Sequence, residues 1–312
     1  MPKFKWYNVL DLIIRFSTRL ENSIRLKTGR NKTQLLSNIP YVNDGKSQHL
    51  LDVWLPNLQK QDLPVVFYIH GGGFATCSKD THQSAGRLFS ERGFLTFVIN
   101  YHLDPCKTYP TGIQDCCLAL RWVWENLENY GGDKKRIILA GESAGANLAT
   151  MMAILGAFKR EESWCQDLWN LNISPLAVLS FCGWNEPLKF DHHKSPRRAK
   201  TIERISRSIF TNEMVGDPNS YPLMSVISSS EGMPDRPLPP HFISVGTSDP
   251  VQEDSNLLRN HLEGKKVKVT FRAHKHALHA YPLIPFSPGF RQVWKDMDEF
   301  LQGVLKQEVK GL

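Results

Sequence analysis

Gly141-Glu142-Ser143-Ala144-Gly145 decides how the rest of this chain is read. It follows Arg136-Ile137-Ile138-Leu139-Ala140, a short β-prone apolar run. It precedes Ala146-Asn147-Leu148-Ala149-Thr150-Met151-Met152-Ala153, whose residues favour a helix. Strand, G-x-S-x-G, then helix is the setting of a nucleophile elbow. The reason is steric: glycines two residues to either side of the serine let strand and helix approach closely. The sharp turn lifts the hydroxyl clear of the backbone. The helix N-terminus behind it offers a free N–H and a partial positive charge to a developing oxyanion.

Outward from the elbow, continuous apolar runs predict buried strands at Pro64–His70 and Phe94–Asn100, and further strands are read at Leu50–Pro56, Pro175–Cys182, Phe242–Gly246 and Val267–Arg272. Helix-length segments lie between them at 81–92, 112–129, 144–158, 251–263 and 290–306. This alternation predicts an α/β fold with a mostly parallel sheet, whose ligands bind at the carboxyl ends of the strands. Residues 183–235 break the alternation. They hold His192-His193, a basic run (Lys194, Arg197, Arg198, Lys200) and a predicted helix at 200–214. An insertion there belongs above the strand ends, where a lid or pocket sits. The basic run itself reads as a solvated face.

The composition, 41% hydrophobic and 22% charged over 312 residues, is that of a globular protein with room for a large core. No apolar run reaches membrane-span length, and the short run Val9–Ile14, broken by Asp11, makes a poor signal peptide. Six cysteines at Cys77, Cys106, Cys116, Cys117, Cys165 and Cys182 follow no disulfide or metal spacing, so free thiols and a cytoplasmic location are expected. The net charge of +7 is uneven: eight Lys/Arg against Asp11 and Glu21 give residues 1–32 a charge of +6, leaving +1 for the rest. A near-neutral body excludes nucleic acid as the expected partner. Trp6, Val9, Leu10, Ile13, Leu20 and Ile24 recur at helical spacing. A surface helix packed on the body is expected there, with peripheral membrane contact through residues 1–32 as the alternative.

Three more stretches carry chemistry. His70-Gly71-Gly72-Gly73-Phe74 follows a buried strand, and its glycines let backbone N–H groups face a ligand without a side chain in the way. With the N–H of Ala144, two such donors would hold the oxyanion of a tetrahedral intermediate. Asp249, in Gly246-Thr247-Ser248-Asp249-Pro250, ends a strand and is placed to accept the N–H of a catalytic imidazole; a helix N-cap role is compatible. Glu253 and Asp254 are backup acids on the following helix. His274-Lys275-His276-Ala277-Leu278-His279 offers three histidines at poor spacing for a metal, so one of them is expected to act as a general base, and no metal or other cofactor is expected. The chain order is serine, then aspartate, then histidine.

In combination these residues resemble the HGGG group of α/β-hydrolases, the hormone-sensitive-lipase-like esterases. The resemblance covers roughly residues 48–305. It rests on His70–Gly73, Asn100-Tyr101-His102-Leu103-Asp104-Pro105, and Tyr109-Pro110 before a helix carrying Asp115. It rests also on Gly131-Gly132-Asp133, Gly141–Gly145, Asp249-Pro250 and His279-Ala280-Tyr281. The resemblance implies an α/β-hydrolase core at 41–182 and 236–312, with an N-terminal helical cap segment at 1–40 and a cap insertion at 183–235. It implies Ser143 as nucleophile, His279 as base and Asp249 as its partner. Gly72, Gly73 and Ala144 would supply the oxyanion N–H groups, supported by His70, Gly71 and Glu142. The implied activity is carboxylic-ester hydrolysis of short- to medium-chain acyl esters, small molecules, with the oligomeric state open. The chain departs from the family at Glu142, where aspartate is usual, at Ala146, and at His102 and Asp104. These departures leave every catalytic group in place and bear on the substrate. The alternatives are an arylformamidase or amidase with the same triad, against which Phe74 in place of tryptophan argues; a membrane-associated lipase; and a non-catalytic binding module.

Overall fold

A computed structural model describes residues 33–57 and 61–310, with side chains described to residue 306. The helix and the membrane contact expected of residues 1–32 lie outside the described residues.

The apolar runs form the strands of one eight-stranded sheet in the order β1-β2-β4-β3-β5-β6-β7-β8. They are β1 (Thr33–Pro40), β2 (Leu50–Pro56), β3 (Leu63–Ile69), β4 (Leu95–Ile99), β5 (Gly132–Glu142), β6 (Ala177–Phe181), β7 (His241–Gly246) and β8 (Val269–His274). From β4 to β8 every neighbouring pair is parallel, whereas β1 and β2 join antiparallel at one edge. Residues 33–40, assigned from the sequence to an N-terminal helical segment, are therefore an edge strand. Thr33–Pro40 carries little apolar alternation because most of it is not buried, so no strand signal stands out.

The helices are α1 (Gln83–Ser90), α2 (Pro105–Thr108), α3 (Thr111–Asn126), α4 (Ala144–Ala157), α5 (Ser163–Asn170), α6 (Pro196–Ile209), α7 (Asn212–Gly216), α8 (Gln252–Gly264) and α9 (Phe290–Lys310). Strand side chains alternate between two cores. Val65, Phe67 and Ile69 of β3 join the core shared with α3, α4 and α8. Val66 and Tyr68 join the core shared with α1 and α9. Helix α4 is buried at almost every position, which its small residues permit. Its buried start fixes Ser143 at the centre of the sheet. Among the described residues, no helix is long and apolar enough to cross a membrane.

Candidate active site

Strand β5 delivers Ser143 at the N-cap of α4 with φ 56° and ψ −121°. A non-glycine residue holds such a conformation only when its surroundings enforce it. Two glycines make room for it. A Cβ on Gly141 would overlap the backbone of Gly145, and a Cβ on Gly145 would overlap the Ile69 carbonyl oxygen at the end of β3. The amide of Ser143 donates to the Phe181 carbonyl at 2.9 Å, tying the elbow to β6.

The loops after β7 and β8 bring the other two groups to the serine. His279 Nε2 lies 2.8 Å from Ser143 Oγ. His279 Nδ1 lies 3.0 Å from each carboxylate oxygen of Asp249. Asp249 is fully buried, and its Oδ1 also accepts the N–H of Val251 at 3.0 Å. That bond makes Asp249 a cap of the turn before α8 as well as the partner of the imidazole. Burial works to lower the pKa of His279, but the charge and hydrogen bonds of Asp249 outweigh it and hold the value above the ordinary 6.5. The other two histidines of the stretch face elsewhere. His274 is held by Asp296 Oδ2 at 3.0 Å and by the Tyr281 hydroxyl at 2.7 Å, and His276 is exposed.

The glycine loop lies against the elbow. Gly72 and Gly73 both have positive φ, at 111° and 62°, a path open to glycine. Gly71 donates its N–H to Glu142 Oε1 at 2.6 Å. Glu142 also accepts from Tyr68 at 2.5 Å and contacts His82 Nε2 at 2.9 Å, all of it buried. Burial pushes the Glu142 carboxyl up, but the His82 imidazole and these hydrogen bonds win and hold it below the usual carboxylate value. The carboxylate therefore stays ionised beneath the loop. His70 stacks on Tyr101, with ring centres 4.6 Å apart. Its Nδ1 meets the Gly71 carbonyl at 2.7 Å, and burial lowers its pKa to about 3, so it is neutral. Tyr68 and His82 were not foreseen. Tyr68 reads as one more apolar strand residue, and His82 falls in a predicted helix with no motif around it.

The 183–235 segment leaves β6 and runs over this loop. Trp184, Phe74 and Phe210 form a ring cluster with centres 6.0–6.3 Å apart. Ile209 Cδ1 would sit 3.0 Å from a Cβ on Gly73. Asn147 of α4 faces its Nδ2 to the carbonyls of Trp184, Asn185 and Met224 at 3.1, 3.3 and 3.0 Å. A small cavity of about 30 Å³ opens beside Phe74, Tyr109, Ile113, Leu148 and Met224, lined almost wholly by apolar groups.

A family model described as the alpha/beta hydrolase fold matches residues 66–283. Carboxylesterase NlhH of Mycobacterium tuberculosis is 42% identical over 113 residues, 36% of this chain and 35% of that protein. Esterase LipI of the same organism is 31% identical over 206 residues, 64% of this chain and 60% of its own length. The chain thus spans between about a third and three fifths of these relatives. Esterase B from Lactobacillus rhamnosis superposes with a TM-score of 0.76 at 19% identity, covering 97% of this chain and 99% of that one. A bacterial heroin esterase superposes with a TM-score of 0.68 at 19% identity, covering 92% and 90%. At these identities the two structures speak for the fold.

Proposed function

We propose, from the premise that this chain belongs to the alpha/beta hydrolase fold family, that it hydrolyses small carboxylic esters through Ser143, His279 and Asp249. The observation that carries the reading is the 2.8 Å contact of His279 Nε2 with Ser143 Oγ, with Asp249 on the far nitrogen. Curated relatives named as esterases favour an ester over other substrates of the fold.

Asp249 keeps the proton on Nδ1 of His279, so Nε2 faces the serine as a base. As Ser143 Oγ attacks the acyl carbon, its proton passes to Nε2, and the carbonyl π pair moves onto oxygen. With Gly71 committed to Glu142, the donors left for that oxyanion are the N–H groups of Gly72, Gly73 and Ala144. The intermediate collapses, the C–O bond breaks, and the alcohol leaves with the proton from His279. Water then attacks the acyl-enzyme by the same route, releasing acid and restoring Ser143. The small apolar cavity beside Phe74 and Leu148 suits short acyl groups, and the 183–235 segment roofs the site as a cap. The groups named supply a nucleophile, a base and an oxyanion site, so the route needs no cofactor.

The test is hydrolysis of p-nitrophenyl esters from acetate to palmitate by the wild type and by Ser143→Ala. Turnover of the short esters that falls by roughly 10⁴ or more in the variant is expected. Turnover peaking at palmitate would replace the short-chain reading with a lipase. Failure on every ester, with N-formylkynurenine opened by wild type alone, would replace the ester with a formamide. A chain inert toward both would be a binding module.

A further inference from the structure

Away from Ser143, the root of the 183–235 segment meets the first turn of α8 through two adjacent imidazoles and one carboxylate. His192 Nε2 lies 3.3 Å from Asp254 Oδ2. His193 Nε2 lies 3.5 Å from the same oxygen. Asp254 is fully buried, as is the His193 side chain, yet neither ring nitrogen of His193 makes a hydrogen bond. Buried imidazole nitrogens are ordinarily satisfied. The other carboxylate oxygen of Asp254 accepts the N–H of Glu186 at 2.9 Å, which fixes the carboxylate with Oδ2 toward the two rings. Glu186 is held in turn by Ser225 and the Ile227 N–H.

The His192 edge is short enough for a hydrogen bond to Asp254, but a proton shared there leaves buried His193 with no partner on either nitrogen, whereas a shared ion would engage both rings. Ligands 2.0–2.2 Å from a tetrahedral Zn²⁺ stand about 3.3–3.5 Å from one another, which is the separation seen along both edges to Asp254. The His49, His102 and Asp115 group, similar in composition, has one edge of 3.3 Å, from His49 Nε2 to Asp115 Oδ1, but fails on the other. There His102 Nδ1 sits 2.5 Å from Asp115 Oδ2, too close for two ligands of one ion and suited to a hydrogen bond. His49 is likewise committed, through Nδ1, to Asp44 at 2.9 Å. The third group, Cys182 with Asp249 and His279, is the neighbourhood of the candidate triad.

The geometry points to a transition-metal site, suited to Zn²⁺, formed by His192 Nε2, His193 Nε2 and Asp254 Oδ2, with solvent as a fourth ligand on the side of the partly exposed His192. Glu186, through its N–H, is the outer group that orients Asp254. Such an ion would pin the root of the insertion to α8, the helix that begins three residues after Asp249. The sequence carries no metal signal here, because Asp254 lies far along the chain from His192 and His193.

The test uses the full chain without a histidine tag, stripped with chelator and titrated with Zn²⁺, with Co²⁺ as a spectroscopic probe. Expected are one Zn²⁺ per chain, a visible tetrahedral Co²⁺ spectrum, and a Tm raised by roughly 5 °C at a hundredfold excess over Kd. His192→Ala should lose all three. Asp254→Asn, which keeps an acceptor for Glu186, should lose them while folding normally. Wild type that takes up no Zn²⁺ would overturn the site. So would a stoichiometry and a Tm rise that survive in His192→Ala, since the ion would then be held elsewhere. The outcome is independent of ester hydrolysis, because Zn²⁺ uptake is read on protein with or without turnover.

Discussion

Asp249 meets His279 with both oxygens, and that pairing sets a pH dependence. The imidazolium cannot take the Ser143 proton, so kcat/KM should fall as pH drops through a pKa above the ordinary 6.5. The sign for stability is opposite. A raised folded value means the protonated form is favoured by folding, so its contribution is full below the unfolded pKa and lost as pH rises through the folded one. In Asp249→Asn the acidic limb of the pH–rate profile should move down and kcat fall by roughly 10⁴. An unmoved limb in that variant would show that Asp249 does not set the base. Glu142 acts at one remove. Its buried charge holds the Gly71 N–H, the Tyr68 hydroxyl and His82 together. Glu142→Ala leaves all three without their partner and should cost about 3–5 kcal/mol in urea unfolding. Glu142→Gln keeps an acceptor for Gly71 and should recover part of that stability.

At the scale of elements, the elbow is a contact between β5, β3 and α4 that leaves no space for a methyl group. Gly145→Ala drives a Cβ into the Ile69 carbonyl and should destabilise by about 3 kcal/mol or more. Gly216→Ala, with nothing within 4 Å, is the control and should be close to neutral, as thermal unfolding of both variants would show. The same contrast explains what the sequence disclosed. Strands β2 to β7 were legible within a few residues because burial leaves predominantly apolar runs, β8 because its β-branched and aromatic residues mark an edge strand, and the elbow because its glycines have no substitute. Strand β1 was not, since Thr33–Pro40 has no buried residue and mixes polar and apolar side chains without alternation. Glu142 stood out as a departure from the family, but its partners were hidden. Nothing in the local sequence of Tyr68 or His82 says that β3 and the start of α1 will converge on one carboxylate. His193 was legible only as part of a basic stretch, because Asp254 approaches it from far along the chain.

At the scale of the whole molecule, the candidate site exists only where four distant loops meet, after β3, β5, β7 and β8, beneath a segment that leaves the sheet after β6. On the proposed reading that segment governs what fits. Ile209 abuts the Gly73 loop, so Ile209→Ala should clear room above it and raise kcat/KM for octanoate relative to acetate esters several-fold, measured across the ester series. An unchanged ratio would place acyl selection elsewhere. Asn147 adds a constraint of a different kind. Its amide draws in backbone carbonyls from both ends of the segment, at 184–185 and at 224, from a position one turn past Ser143 on the same helix. The two stretches of the segment are thus riveted to the helix whose N-cap is Ser143. On the proposed reading, an opening for substrate would hinge outboard of those two stretches, on the part that bears α6 and α7, leaving the Ser143 hydroxyl undisturbed.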